Sequence, residues 1–148
     1  MKIAIASDHR GYEAKMRLLP ILRRFSHQVT DFGCDSASTG CDYSDVAAPA
    51  ARSVARGEND VAILLEGSGI GMSVTANKIH GVRAALIHDD LTARRAREHH
   101  HCNALCIGCE LLSEDQIRSI TEIFLNATFQ DGRHAARVAK VMQIEKEG

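Results

Sequence analysis

The chain has 148 residues, a formal net charge of -1, 45% hydrophobic residues and 25% charged ones. These values predict one globular domain over residues 1–148 and exclude an electrostatic case for nucleic acid or a membrane surface. No apolar run approaches the ~20 residues of a membrane span, and the opening MKIAIASDHRG does not read as a signal peptide, so the cytoplasm is the expected compartment.

Lys2 to Ala6 reads as a short apolar strand, followed by the polar turn Ser7-Asp8-His9-Arg10-Gly11. Tyr12 to Phe25 reads as an amphipathic helix, with Ala14, Leu18, Ile21, Leu22 and Phe25 at three- and four-residue steps. Pro20 lies inside it and is expected to kink it. Gln28 to Phe32 is the second strand. A polar loop from Gly33 to about Ser44 follows, and Asp45 to Arg56 is the second helix, ended by Gly57.

Val61 to Leu65 is an unbroken apolar run, as expected for a strand buried on both faces of a parallel sheet. It ends in Glu66-Gly67-Ser68-Gly69-Ile70-Gly71, and Ser68 to Lys78 covers this turn and a helix. Glycines at alternate positions let a backbone turn sharply and bring its N–H groups near a ligand. The turn reads either as an anion or oxyanion site or as a plain strand-to-helix turn. It is neither a dinucleotide fingerprint nor a nucleotide P-loop, since the glycine spacing differs and no Lys-Ser or Lys-Thr follows. Glu66 favours function, because a carboxylate at a buried strand end is costly unless paired or used.

Val82 to Ile87 is the fourth strand. Asp89 or Asp90 caps a helix that runs to His99-His100-His101, and Ala104 to Ile107 is the fifth strand. Ser113 and Gln116 form a capping box for a helix over Glu114 to Asn126, and Arg133 to Lys146 is the last helix. Strand and helix alternate with short connections, which predicts a doubly wound, Rossmann-like α/β fold with a five-stranded parallel sheet. Open sheets of this kind bind ligands at the C-terminal ends of their strands, which draws in Asp8 and Glu66. The last helix follows a complete sheet. It packs either on a partner subunit or at home.

Cys34, Cys41, Cys102, Cys106 and Cys109 make an odd count without a secretory signal, so reduced thiols are expected. The His99 to Cys109 cluster matches no usual zinc spacing, and no metal is expected. Two bland readings remain: Asp8 as a helix cap, and Arg133 with Arg137 as a solvated face.

The sequence resembles the ribose-5-phosphate isomerase B family, which includes galactose-6-phosphate isomerase subunits. The likeness rests on Asp8-His9, Asp42-Tyr43, Gly67-Ser68-Gly69-Ile70-Gly71 and Ala76-Asn77-Lys78. It continues through Gly81-x-Arg83-Ala84, Arg97-Glu98-His99, Asn103, Gly108 and the terminal Gly132-Arg133-His134-x-x-Arg137. The resemblance implies an aldose–ketose isomerase that works through an enediolate without metal or cofactor. It implies that His99, assisted by Asp8, opens the sugar ring. The amides of Gly67, Ser68, Gly69, Ile70 and Gly71, with the Ser68 hydroxyl, would hold the enediolate, and His9, Arg133 and Arg137 the phosphate. Tyr43, His100 and Asn103 are implied as further substrate contacts. Family sites are built from two subunits, so a homodimer or a dimer of dimers is implied.

The chain departs from the family pattern in four places. Many members carry a cysteine base where Glu66 stands, and others a glutamate where Met72 stands. His100 replaces a usual Asn, and Glu110 replaces an arginine that several members use on phosphate. Either Glu66 is the base or the activity is altered. The default reaction is D-ribose 5-phosphate to D-ribulose 5-phosphate. A six-carbon sugar phosphate, an unphosphorylated sugar and an inactive sugar-phosphate-binding subunit are the alternatives.

Overall fold

The structure, a computed structural model, describes all residues from Met1 to Gly148. Five parallel strands form one sheet in the order β2-β1-β3-β5-β4. The strands are β1 (Lys2–Ser7), β2 (Gln28–Asp31), β3 (Val61–Glu66), β4 (Ala84–Leu86) and β5 (Ala104–Gly108). The helices are α1 (Tyr12–Arg24), α2 (Tyr43–Ala55), α3 (Ile70–Ala76), α4 (Asp90–Glu98), α5 (Glu114–Asn126) and α6 (Arg133–Glu147). No helix is long and apolar enough to cross a membrane.

The apolar runs fold as their pattern predicts. Every residue of β3 and β5 is buried, because helices cover both faces. One face carries Ile3, Ile5, Ile63, Leu65, Leu105 and Ile107 against Leu18, Leu22 and Phe124. Phe124 is fully buried there, and burying a side chain of that size contributes roughly 1.5–3 kcal/mol. The other face is alanine-rich, with Ala4, Ala6 and Ala62 meeting Ala47, Ala50 and Ala51 of α2. Small side chains let α2 lie close to β1. Met72 is fully buried in this second layer, so it serves packing.

The caps appear as read. Asp89 accepts from the Thr92 amide, and Ser113 and Gln116 close a capping box. One expectation needs correction. The fourth strand shrinks from Val82–Ile87 to Ala84–Leu86, because as an edge strand it pairs only with Ala104 to Cys106. Helix α1 runs through Pro20 without a break. Pro20 is exposed, so the Met16 carbonyl that loses its donor can turn to water.

Chain order reverses between β1 and β3. The turns after these two strands therefore diverge and leave a crevice at their C-terminal ends.

Candidate active site

At the C-terminal edge of β1, Asp8 is buried and its Oδ1 accepts the amides of Arg10 and Gly11. Asp8 thus ties the turn that precedes α1, whose N-cap is Gly11 with no side-chain cap bond, and its Oδ2 stays uncommitted. His9 accepts the Cys41 amide at Nδ1, 3.3 Å away. The same Nδ1 lies 3.4 Å from the Cys41 carbonyl, so the tautomer sets whether it accepts or donates there.

Beside it, β3 runs one residue further than predicted and ends on Glu66. Glu66 is only 9% exposed. Its Oε2 accepts from the Gly71 amide at 3.0 Å. Its Oε1 has no partner and is not sealed from solvent. The carboxylate is thus held by one oxygen and presents the other.

The turn is shaped by its neighbours. Gly69 has φ +77, and a Cβ there would lie 2.8 Å from the Ile107 carbonyl carbon. Gly71 lies under the Tyr43 ring, whose atoms would stand 2.8 Å from an added Cβ. The amides expected to hold an enediolate ran from Gly67 to Gly71, and here the structure narrows the set. Gly71 donates to Glu66, and Ile70 donates to the Ser68 hydroxyl at 3.2 Å. The amides of Gly67, Ser68 and Gly69 have no partner in the chain. The Ile70 side chain is exposed at the rim. Arg10 and Glu110 form an ion pair directly over Gly67.

The remaining candidates stand elsewhere. His99 to Asn103 connect the end of α4 to the start of β5, which is the N-terminal edge of the sheet. His99 stacks on His134 of α6 with ring centroids 4.1 Å apart, and Arg95 Nη1 lies 3.1 Å from its Nε2. His99, His100, His134 and Arg137 line a cavity of about 490 Å³ between α6 and the entry to β4. Arg133 is exposed one helical turn before Arg137. Asn103 is spent internally: its Oδ1 accepts the Arg83 amide and its Nδ2 donates to the Gly81 carbonyl. Both groups of Asn103 are thus engaged within the chain.

The candidates thus fall into two groups. Asp8, His9, Tyr43, Glu66 and the Gly67–Gly71 turn share one edge, and His99, His100, Arg133 and Arg137 share the other. A five-residue strand separates the edges by roughly 16 Å. The chain does not bring His99 to Asp8, nor His9 to Arg133 and Arg137. The element order carried this signal, since any residue between a helix and the next parallel strand lies at the strand's N-terminal end. Sequence reasoning gave no role to His134, although it sits between two singled-out arginines.

The Ribose/Galactose Isomerase family profile matches residues 3–141. The chain belongs to this family. Membership makes it a sugar-phosphate isomerase. Ribose-5-phosphate isomerase B of Clostridium thermocellum is 40% identical with a TM-score of 0.96, and 99% of each chain is covered. The Mycoplasma genitalium ribose-5-phosphate isomerase B, solved with bound ribulose-5-phosphate, is 36% identical with a TM-score of 0.94. That match covers 99% of this chain and 97% of the other. A D-erythrulose-4-phosphate isomerase of Pectobacterium atrosepticum is 32% identical over 147 residues, 99% of this chain and 97% of the relative.

The electrostatics of this isomerase differ between the edges. Desolvation, then Arg95, His100 and Arg133, holds His99 below the ordinary imidazole value against an opposing pull from Glu98. Desolvation with His99, Arg133, Arg137 and His100 does the same to His134. Both rings therefore favour the neutral form, which can accept a proton. Near the other edge the thiols are pushed up, chiefly by burial: Cys41 to about 11 and Cys109 to about 12. Burial also drives Cys106 upward and Cys102 to about 11. Protonated thiols are poor bases, which leaves carboxylates for the task at the glycine turn.

Proposed function

We propose that residues 1–148 act as one isomerase domain that converts D-ribose 5-phosphate to D-ribulose 5-phosphate through an enediolate. The observation that carries this reading is Glu66, with Oε2 tied to the Gly71 amide and Oε1 unpaired beside three free amides. A positioned carboxylate next to unpaired amides suits the removal of a proton alpha to a carbonyl.

In this reading His99 takes the anomeric hydroxyl proton and delivers it to the ring oxygen as the C1–O4 bond breaks to give the open aldehyde. Asp8 assists through its uncommitted oxygen. Glu66 then removes the C2 proton. The Gly67, Ser68 and Gly69 amides and the Ser68 hydroxyl hold the oxyanion. Glu66 returns the proton to C1, and the O2 proton passes to O1 as the ketone forms. His9, Arg133 and Arg137 bind the phosphate; a guanidinium fork donates two parallel hydrogen bonds to such a group. Tyr43, Ile70 and His100 wall the sugar.

The separation of the two groups supports a shared site, in which His99, Arg133 and Arg137 of one copy meet Asp8, His9 and Glu66 of another. The working unit is then a homodimer or a dimer of dimers. Val141 and Ile144 of α6 are exposed, as a helix that contacts a second copy would leave them in an isolated chain.

A second reading keeps the mechanism and changes the sugar. It is favoured by the Arg10–Glu110 pair, which stands where several members place a phosphate-binding arginine. Heavy-water exchange and a panel of aldose and ketose phosphates, each beside its unphosphorylated sugar, test both readings. We expect exchange at C1 or C2 and the highest kcat/KM with ribose 5-phosphate. A four- or six-carbon phosphate turning over faster would replace the substrate. No exchange with any sugar would overturn the isomerase reading.

A further inference from the structure

Asn77, Arg83, Arg97 and Asn103 take no part in the chemistry above, yet they form one frame at the N-terminal edge. Asn77 exchanges two hydrogen bonds with the Ala84 backbone, 2.9 and 3.0 Å long. Asn103 fixes the Arg83 amide at 2.7 Å. Arg83 then donates from both Nε and Nη2 to the His101 carbonyl, at 2.9 and 2.8 Å. Arg97 Nη1 donates to the next carbonyl, that of Cys102, at 2.7 Å.

His101 has φ 49, a left-handed conformation that is strained for a non-glycine residue. Its ring stacks on Phe129 with centroids 4.3 Å apart. Segments from three parts of the chain therefore hold the two residues that follow His99 and His100 in a conformation they would not adopt alone. Arg83 also reaches α6, with Nη1 3.4 Å from Met142 Sδ. One guanidinium thus joins the loop that carries His99 to the helix that carries His134, the ring on which His99 stacks.

We propose that Arg83 is a positioning residue for ring opening, acting through the His101 carbonyl to set the His99 imidazole. This rests on the reading that His99 opens the sugar ring. A lysine keeps the charge at position 83 but lacks the planar fork that grips one carbonyl with two N–H groups. A shift of about 1 Å in a catalytic group costs on the order of 100-fold.

The test separates ring opening from proton transfer. Ribose 5-phosphate is a closed furanose and must open before its C2 proton can leave. Ribulose 5-phosphate has its O5 blocked by phosphate, so its ketone stays open and needs no ring opener. In Arg83→Lys we expect isomerisation of ribose 5-phosphate to fall about 10- to 100-fold, with heavy-water exchange into C1 of ribulose 5-phosphate within about twofold of wild type. Phe129→Leu, which loosens His101 without touching Arg83, should show the same split. If both activities fall together in folded protein, or neither falls, the proposal is overturned. If Arg83→Lys melts before assay temperature, Phe129→Leu decides alone. His99→Asn is the control. Should it fail to split the two activities, the ring-opening role of His99 is wrong and the inference goes with it.

Discussion

The two edges of the sheet are built by different means. At the C-terminal edge the chemistry is mostly backbone: three free amides, two buried carboxylates each anchored to amides, and a glycine turn seated on β5. It is rooted in β1 and β3, whose residues Ala6, Leu64 and Leu65 are fully buried. At the N-terminal edge the chemistry is side chain: stacked imidazoles, a run of arginines, and α6, in which only His134 is buried. The first arrangement is fixed before any ligand arrives, as oxyanion stabilisation requires. The second is presented outward from the fold. On the proposed reading, proton abstraction belongs to the rigid edge, and His99, Arg133 and Arg137 bring the outward edge's share of ring opening and phosphate binding.

The sharpest way to break this comparison is to disable each edge in turn. Glu66→Gln should keep its melting temperature and lose roughly 10²–10⁴ in kcat, the usual worth of a positioned base. Glu66→Cys should recover part of that loss. His99→Asn should be nearly inactive with closed aldose phosphates. Refolding the Glu66→Gln and His99→Asn chains together should restore about a quarter of the wild-type rate, the statistical yield when half the pairs are hybrids with one intact site of two. No recovery on mixing would mean that each chain builds its own site.

A smaller effect sharpens the role of the outward edge. Arg137→Ala should raise KM for a phosphorylated substrate about tenfold or more, the worth of a charge-assisted hydrogen bond, with a lesser fall in kcat. Remote phosphate contacts act largely alike in the ground and transition states. An unchanged KM would remove Arg137 from the phosphate site.

The smallest effect concerns pH. His99 and His134 both lie below the ordinary imidazole value in the folded chain. The unfolded chain therefore binds more protons as pH falls below about 6.5, and stability drops until the folded-state values are passed. Melting temperatures between pH 7.5 and 5 should fall, and the fall should be shallower in His134→Gln. An equal slope in both proteins would discount this cluster.

Much of the fold was legible because its signals are local. The apolar run Val61 to Leu65, the Asp89 cap and the Ser113–Gln116 box each specify their own element. The fourth strand was read too long because edge position is invisible in its own residues. For the site, residue types were legible and their division was not. Asp8 and Glu66 followed from the strand-end rule, whereas His99 entered through the family resemblance, and strand order places it at the other edge. The occupancy of the Gly71 amide by Glu66 and of Asn103 by two loop carbonyl and amide groups is a matter of side-chain direction, which spacing does not encode.

The raised thiols have a consequence for durability. A group with a pKa of about 11 or above, as for Cys41, Cys102 and Cys109, is ionised to roughly one part in ten thousand at pH 7, and the thiolate is the form that alkylating agents and peroxides attack. An isomerase that draws its base from a thiol exposes its turnover to that attack. With Glu66 as the proposed base, sugar chemistry would be separated from the redox condition of its surroundings.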